Sequence, residues 1–430
     1  MAVAGIGGGY LISSHKVRAE LARIRAAGEP VTPDDLDAFY SLPLGKQDTS
    51  VLWLAAAEAV SQPEYEAEAL RLPIVGKPNG DSDEPEPELP KPSEPWVYDL
   101  AVEQFLGKHA EILATVHEAA ALGGEARYPT KFEDGVKMSL NSQVHLRSVA
   151  RLLALQSEVS LRRGDQRGAV GSVRAIFALA RGCEREPVLI AEILRVVIDG
   201  MAVDGLQRLV LNVDLSDEDL TLIEQDLTAL EYHRQLHNAM LGERVLGLQS
   251  FDDPEIRGDA APGDLVWRLF RPVDRAVYLQ AMRELIAASG APDYLSLGTA
   301  VDRAQRDIAV VLSAPSARWR CPMSKLRVPS LDSMTDVVGL GAARRELART
   351  AIAAEKFRRM HGRLPGALDE LTPDFLPQAP VDPFSGASLH WVISGNEYGV
   401  YSVGVNGIDE GAIPEKVGDH DDIFFHWRQR

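Results

Sequence analysis

The stretch "PVLIAEILRVVIDGMAVDGLQRLVL", residues 187–211, limits what this chain can fold into more than any other. Helical spacing puts Ile190, Ile193, Leu194, Val197 and Met201 on one face, while Val196, Ile198 and Val203 fall elsewhere. A helix that is apolar almost all round needs neighbours on nearly every side. It is therefore expected to form the buried centre of a multi-helix body. Glu192, Arg195 and Asp199 draw one polar stripe along it at i, i+3 and i+7. An intrahelical charge network facing a groove accounts for that stripe. A hydrolase groove built on the same three side chains is the alternative.

The flanking sequence supports a helical body. In "LLALQSEVSLRRGDQRGAVGSVRAIFALARGCEREP", Gly164 and Asp165 break two apolar-periodic runs, and Ala169, Val173, Ile176, Phe177 and Ala180 recur at helical spacing. The pattern predicts a helix hairpin. Its second half, closed by Pro187, resembles a single tetratricopeptide unit. Neighbouring 34-residue copies are not found, so the reading is of TPR-like helical hairpins. Helix starts are marked where Thr32, Pro33 and Asp35 stand in capping positions, and again where Ser216 precedes Asp219 by three residues. Seven prolines between Pro254 and Pro329 predict short, loop-linked helices over 250–335, with Trp267 and Trp319 plugging their packing.

Composition removes several classes of function. The net charge of −18 opposes a phosphate-tracking surface, so no nucleic-acid partner is expected. Two cysteines, Cys183 and Cys321, supply neither a disulfide framework nor a zinc module. The first charged side chains follow an apolar N-terminal run shorter than the ~18 to 20 residues that span a bilayer. Residues 1–15 read either as an apolar turn docked on a core or as a truncated membrane anchor. In the second case Lys16, Arg18, Arg23 and Arg25 would favour a cytoplasmic C-terminal side. After N-terminal helices over 16–75, residues 76–95 form an acidic, Pro-rich linker that cannot bury enough surface to fold by itself. The helical body then spans 96–335, and a distinct segment covers 336–430.

That last segment changes character. Leu340, Ala343, Leu347, Thr350, Ala354 and Phe357 predict one amphipathic helix over 338–361, ended by Gly362 and Pro365. Beyond it, "SLHWVIS" and "YGVYSV" flank Gly395-Asn396-Glu397, the pattern of a β-hairpin with a three-residue turn. An oxygen-rich, glycine-punctuated loop and the acidic run Asp419, Asp421, Asp422 follow.

Taken together, the motifs of residues 338–430 resemble the globular part of the major pseudopilin of type II secretion systems. The matching pieces are Gly362 to Pro365, Leu368 and Leu371, Pro380, Asp382, Pro383, Phe384 and Gly386. They continue with Tyr401, Ser402, Gly404, Asn406 and Gly407, and close with Asp422, Ile423 and Trp427. The resemblance implies a small α+β domain, a long helix lying across an antiparallel sheet. It also implies a Ca2+ site in the loop before the last strand: Ser402, Asn406 and Asp422 by match, with Asp409 and Asp421 added by proximity. Calcium requires six to eight oxygens at ~2.3 to 2.6 Å. Asn406 stands where the family has Asp, and the family's Gly-Gly pair is reduced to Gly411-Ala412. Nothing before residue 338 resembles the family's processed transmembrane helix.

No catalytic motif emerges, and no enzyme is expected. His233 and His237 lie one helical turn apart, a zinc-sharing spacing, but Arg234 stands where the protease form needs Glu. His109 and His117, eight residues apart, make a weaker pair. The chain thus reads as mainly α, a TPR-like helical body followed by a small pseudopilin-like α+β domain. The expected function is that of a non-catalytic bacterial cell-envelope protein, a scaffold for protein contacts on the extracytoplasmic side with a calcium-stabilised module linked by resemblance to type II secretion. The alternatives are a soluble cytoplasmic helical adaptor and a metal-dependent hydrolase using His233 and His237.

Overall fold

The computed structural model describes residues 2–76, 89–139, 144–228, 232–257, 264–394, 397–411 and 422–428. Seventeen α-helices and one three-stranded antiparallel sheet are found among them, so the protein is mainly helical with a small sheet near its C-terminus. Six helices come first: Ala2–Ala26 (α1), Pro33–Phe39 (α2), Ser50–Val60 (α3), Pro63–Ala69 (α4), Asp99–Lys108 (α5) and Ala110–Ala121 (α6). In α2 the expected cap is complete. The Thr32 hydroxyl accepts from the Asp35 N–H at 3.2 Å, and the Asp35 carboxylate accepts from the Thr32 N–H at 3.0 Å. Val17 and Ile24 of α1 are buried, whereas Tyr10, Leu11 and Ile12 are exposed. No helix among the described residues is long and apolar enough to cross a membrane.

The predicted hairpin is formed by Leu146–Arg162 (α7) and Gln166–Gly182 (α8). Gly164 adopts a left-handed φ of 71°, and Asp165 caps α8 by accepting from the Gly168 N–H at 3.0 Å. Ala169, Val173, Ile176, Phe177 and Ala180 are all fully buried. A Phe, Leu or Val removed from water in this way contributes ~1.5–3 kcal/mol. Of the linker, residues 77–88 lie outside the described residues. Its end is fastened to α7: Arg162 donates to the Pro90 carbonyl at 2.9 Å and the Glu94 carbonyl at 3.0 Å, and its guanidinium sits 4.6 Å from the Trp96 ring centre.

Helix Leu189–Asn212 (α9) is the central element, packed against α7, α8 and several later elements. It is followed by Asp217–Thr228 (α10), where Ser216 and Asp219 cap each other as expected, and by Tyr232–Ser250 (α11) and the short Pro254–Arg257 (α12).

Residues 250–335 depart from expectation. Asp264–Ser289 (α13) is a 26-residue helix that contains Pro272, and Tyr294–Leu312 (α14) has 19 residues. A proline inside a helix deletes one hydrogen bond and crowds the carbonyl four residues back. Helicity persists here because the turns beyond it bury Tyr278, Leu279, Met282 and Leu285. Trp267 is buried as expected, but Trp319 is 59% exposed and stands beside Arg318 without plugging the core. Two short helices, Ala317–Arg320 (α15) and Pro322–Arg327 (α16), complete the region. The fully buried Asp274 of α13 caps α16, its carboxylate accepting from the Met323 and Ser324 N–H groups at 2.9 and 3.0 Å.

The last long helix, Asp332–His361 (α17), ends as predicted at Gly362, whose φ of 72° forms a left-handed cap. A sheet of His390–Ser394 (β1), Glu397–Ser402 (β2) and Ile423–Arg428 (β3) follows in the order β1-β2-β3, both pairs antiparallel. Glu397 belongs to β2, where it pairs with Ser394, and not to the turn as the sequence suggested. One face of α17 meets the sheet and others meet α9 and α10. Leu347, Ala351, Val400 and Phe425 therefore join the same continuous core as Val149, Val173 and Leu206.

Candidate functional site

Two places concentrate polar chemistry: the loop after β2 and the polar stripe of α9. The first is organised by Asp382, a fully buried carboxylate in the proline-shaped crossing before β1. It accepts from the Phe384 N–H at 2.9 Å, the Ser402 hydroxyl at 2.8 Å and the Val403 N–H at 3.0 Å. A buried carboxylate with three donors is well compensated for its lost hydration. It also fixes the end of β2 against the crossing, where the loop begins.

Within the loop, Gly404, Gly407 and Gly411 adopt φ values of 65°, 67° and 82°, which side-chain-bearing residues rarely reach. The backbone can therefore fold back on itself. Asn406 accepts from the Ile408 N–H at 2.8 Å and donates to Glu410 at 3.2 Å. Asp409 accepts from the Tyr401 hydroxyl and the Gly411 N–H, both at 2.9 Å, and lies 3.6 Å from His390 Nδ1. The Tyr401 hydrogen bond holds the Asp409 carboxyl below the usual range. In return the Tyr401 phenol is pushed up, first by burial, then by its bond to Asp409 and by the charges of Asp409 and Asp422. Tyr401 is also stacked on His390, ring centres 4.6 Å apart.

Of the five residues assigned to calcium, Asp409 is bonded to the Tyr401 phenol, the Ser402 hydroxyl is directed to Asp382 and Asn406 is engaged within its own loop, while Asp422 adds only the least of the charge effects on Tyr401. Asp421 lies outside the described residues. Asp422 also lines a cleft of about 230 Å3 with Asp204, Gln207 and Arg344, between α9, α17 and β3. Among the described residues no group of three or more Asp, Glu, His or Cys side chains is placed to hold a metal ion.

The stripe of α9 is buried. Glu192 and Arg195 form an ion pair at 2.9 Å with side-chain exposures of 3% and 0%. Asp199 pairs with Arg345 of α17 through two bonds of 2.9 and 2.8 Å. Arg345 also donates to the Leu227 carbonyl and faces the Phe177 ring, so the network joins α8, α9, α10 and α17. Nearby, Asp226 of α10 receives Arg174 at 2.7 Å and Arg181 at 3.1 Å from α8. These acids are matched by arginines within a packed interior, which fits interhelical fixation better than a reaction groove.

The histidines do not assemble a zinc site among the described side chains. His237 Nδ1 lies 3.2 Å from the Ile286 carbonyl and 3.3 Å from the Ser289 hydroxyl, facing the end of α13, and the His233 side chain is outside the described set. His109 is packed on Tyr65 and Phe105, and burial lowers its pKa. His117 is bonded to Gln156 at 2.8 Å.

Sequence reasoning passed over Glu186. It sits in the short connection before α9, 5% exposed, with Thr130 donating to its carboxylate. Burial pushes its carboxyl up to about 7, and the adjacent buried Cys183 thiol up to about 12. No spacing or motif marks it, because the Thr130 partner is remote in sequence. No protein-family model matches this chain, and no curated protein or solved structure is found to be similar to it.

Proposed function

We propose that the protein is a non-catalytic scaffold of the cell envelope, a TPR-like helical body that receives other proteins and carries a calcium-stabilised pseudopilin-like module. The observation that carries the reading is the loop after β2, where Gly404, Gly407 and Gly411 take left-handed φ values beside the Asn406 side chain and the Asp409 carboxylate. An exposed carboxylate held on a tight, glycine-punctuated loop is the kind of oxygen donor that Ca2+ takes. The amide oxygen of Asn406 and loop carbonyls would complete the oxygen set. A site with few charges binds weakly, in the ~10⁻⁴ to 10⁻³ M range of extracellular modules, which favours the extracytoplasmic side where Ca2+ is abundant. Association with type II secretion follows from the same resemblance.

The test is thermal unfolding of the full chain with about 10 mM Ca2+ and with chelator, where binding at 10 to 100 times Kd adds ~1.4–2.7 kcal/mol. The expected outcome is a higher Tm with Ca2+, lost in Asp409→Asn and not reproduced by Mg2+. An identical Tm in both conditions eliminates calcium. The second reading, a cytoplasmic adaptor whose C-terminal segment is purely structural, draws on the bonds that Asp409 already makes to Tyr401 and Gly411.

A further inference from the structure

The outward face of α9 carries a cleft that combines an apolar wall with a cationic rim. Its volume is about 270 Å3, and Ile190, Ile193, Leu194 and Val197 give it an aliphatic wall two helical turns long. Ile190 and Ile193 are 51% and 40% exposed, an uncommon position for β-branched side chains of a central helix. Two polar groups meet this wall. Arg147, in the first turn of α7, is exposed and forms no ion pair with another described residue. Glu186 closes the cleft from the connection between α8 and α9, held by Thr130.

The chemistry of the occupant follows from these groups. An all-aliphatic wall selects an alkyl chain, and a volume just below the ~300 Å3 floor of ordinary ligand pockets excludes a long one. The guanidinium selects a carboxylate, which it can meet with two parallel hydrogen bonds. Amide N–H groups at the start of α7 place positive potential on the same side. Burial pushes Glu186, the one acid in the lining, up to about 7, so at about pH 6 it is mostly neutral and does little to repel an anion there. We propose that this cleft binds a medium-chain aliphatic carboxylate, its tail along Ile190, Ile193, Leu194 and Val197 and its head group on Arg147.

Calorimetric titration of the full chain with octanoate, and separately with octyltrimethylammonium, tests the assignment. Octanoate is expected to saturate one site with Kd below about 1 mM, and the cation to bind at least about tenfold more weakly. Arg147→Ala should weaken octanoate about tenfold or more, with Arg147→Lys retaining part of the affinity. Ile193→Asp should weaken it comparably by placing a charge in the wall. Arg147 is exposed, so its substitution is expected to leave the melting curve unchanged, and it decides the matter even if Ile193→Asp unfolds. Absence of saturable heat, equal binding of the two probes, or an unaltered affinity in Arg147→Ala overturns the proposal.

Discussion

The two faces of α9 reverse the usual order of a soluble helix. Its charged stripe, Glu192, Arg195 and Asp199, is sealed inside, while Ile190 and Ile193 of its apolar stripe remain in contact with water. The inner face works because each charge has an opposite one nearby: Glu192 with Arg195 one turn on, Asp199 with Arg345 of α17. Buried pairs of this kind gain little net stability, since desolvation offsets attraction, but breaking one leaves a bare charge in the interior. The Asp199–Arg345 pair, which joins two helices, therefore specifies that α17 lies against α9. Leaving branched aliphatic groups at a surface costs the transfer free energy of their burial, so the outer face gives up stability that binding could recover.

Removing one partner from the inner face should give the largest effect. Arg345→Ala strands Asp199 and is expected to lower stability by ~3–5 kcal/mol, read by urea denaturation. Asp199→Ala combined with Arg345→Met should cost less than the sum of the single changes. If the costs simply add, the pair is not the coupled element described.

Glu186, at the margin between the two faces, gives a smaller, pH-dependent effect. Its folded pKa, raised from 4.5 to about 7, means that between those values the native state holds more protons than the unfolded chain. Stability then falls as pH rises through this window, and the penalty is complete above it at ~3 kcal/mol. Glu186→Gln keeps an acceptor for Thr130 and cannot ionise. It is expected to remove this slope and to be the more stable form at pH 8, as thermal melts at pH 5 and 8 would record. Equal slopes in both proteins would show that the carboxyl is not held neutral.

Ile190→Ser and Ile193→Ser on the outer face should give the smallest change, within ~0.5 kcal/mol. A loss above ~1.5 kcal/mol in denaturant melts would mean that this face is covered in solution and that the contrast between the faces is less than it looks.

What the sequence made legible was local. The capping residues Thr32 and Ser216, the break at Gly164-Asp165, the end of α17 at Gly362 and the alternation around His390–Ser402 are signals carried within a few residues, and each element formed where its signal lay. The orientation of α9 was not legible. Apolar periodicity assigns Ile190 and Ile193 to a core, and only Arg345, 146 residues after Asp199, reveals that the acid side turns inward. Pro272 misled for a related reason, since the contacts that maintain α13 come from other helices. At the candidate site, the glycine-rich loop and its acids were visible in the chain. The capture of Ser402 by Asp382 was not, because it depends on how the crossing closes over β2.

Helix α17 serves two clients at once, offering Arg345 to the interior of the bundle and other side chains to the sheet. At ~1.5 Å per residue it is a rod of about 45 Å, long enough to act as common property of both. Shuffling by recombination cannot cleanly transplant this stretch: a donor fragment beginning at Asp332 would export a buried cation without its acid, and the recipient left behind would keep an orphaned Asp199. Asp199 and Arg345 can therefore be exchanged only together.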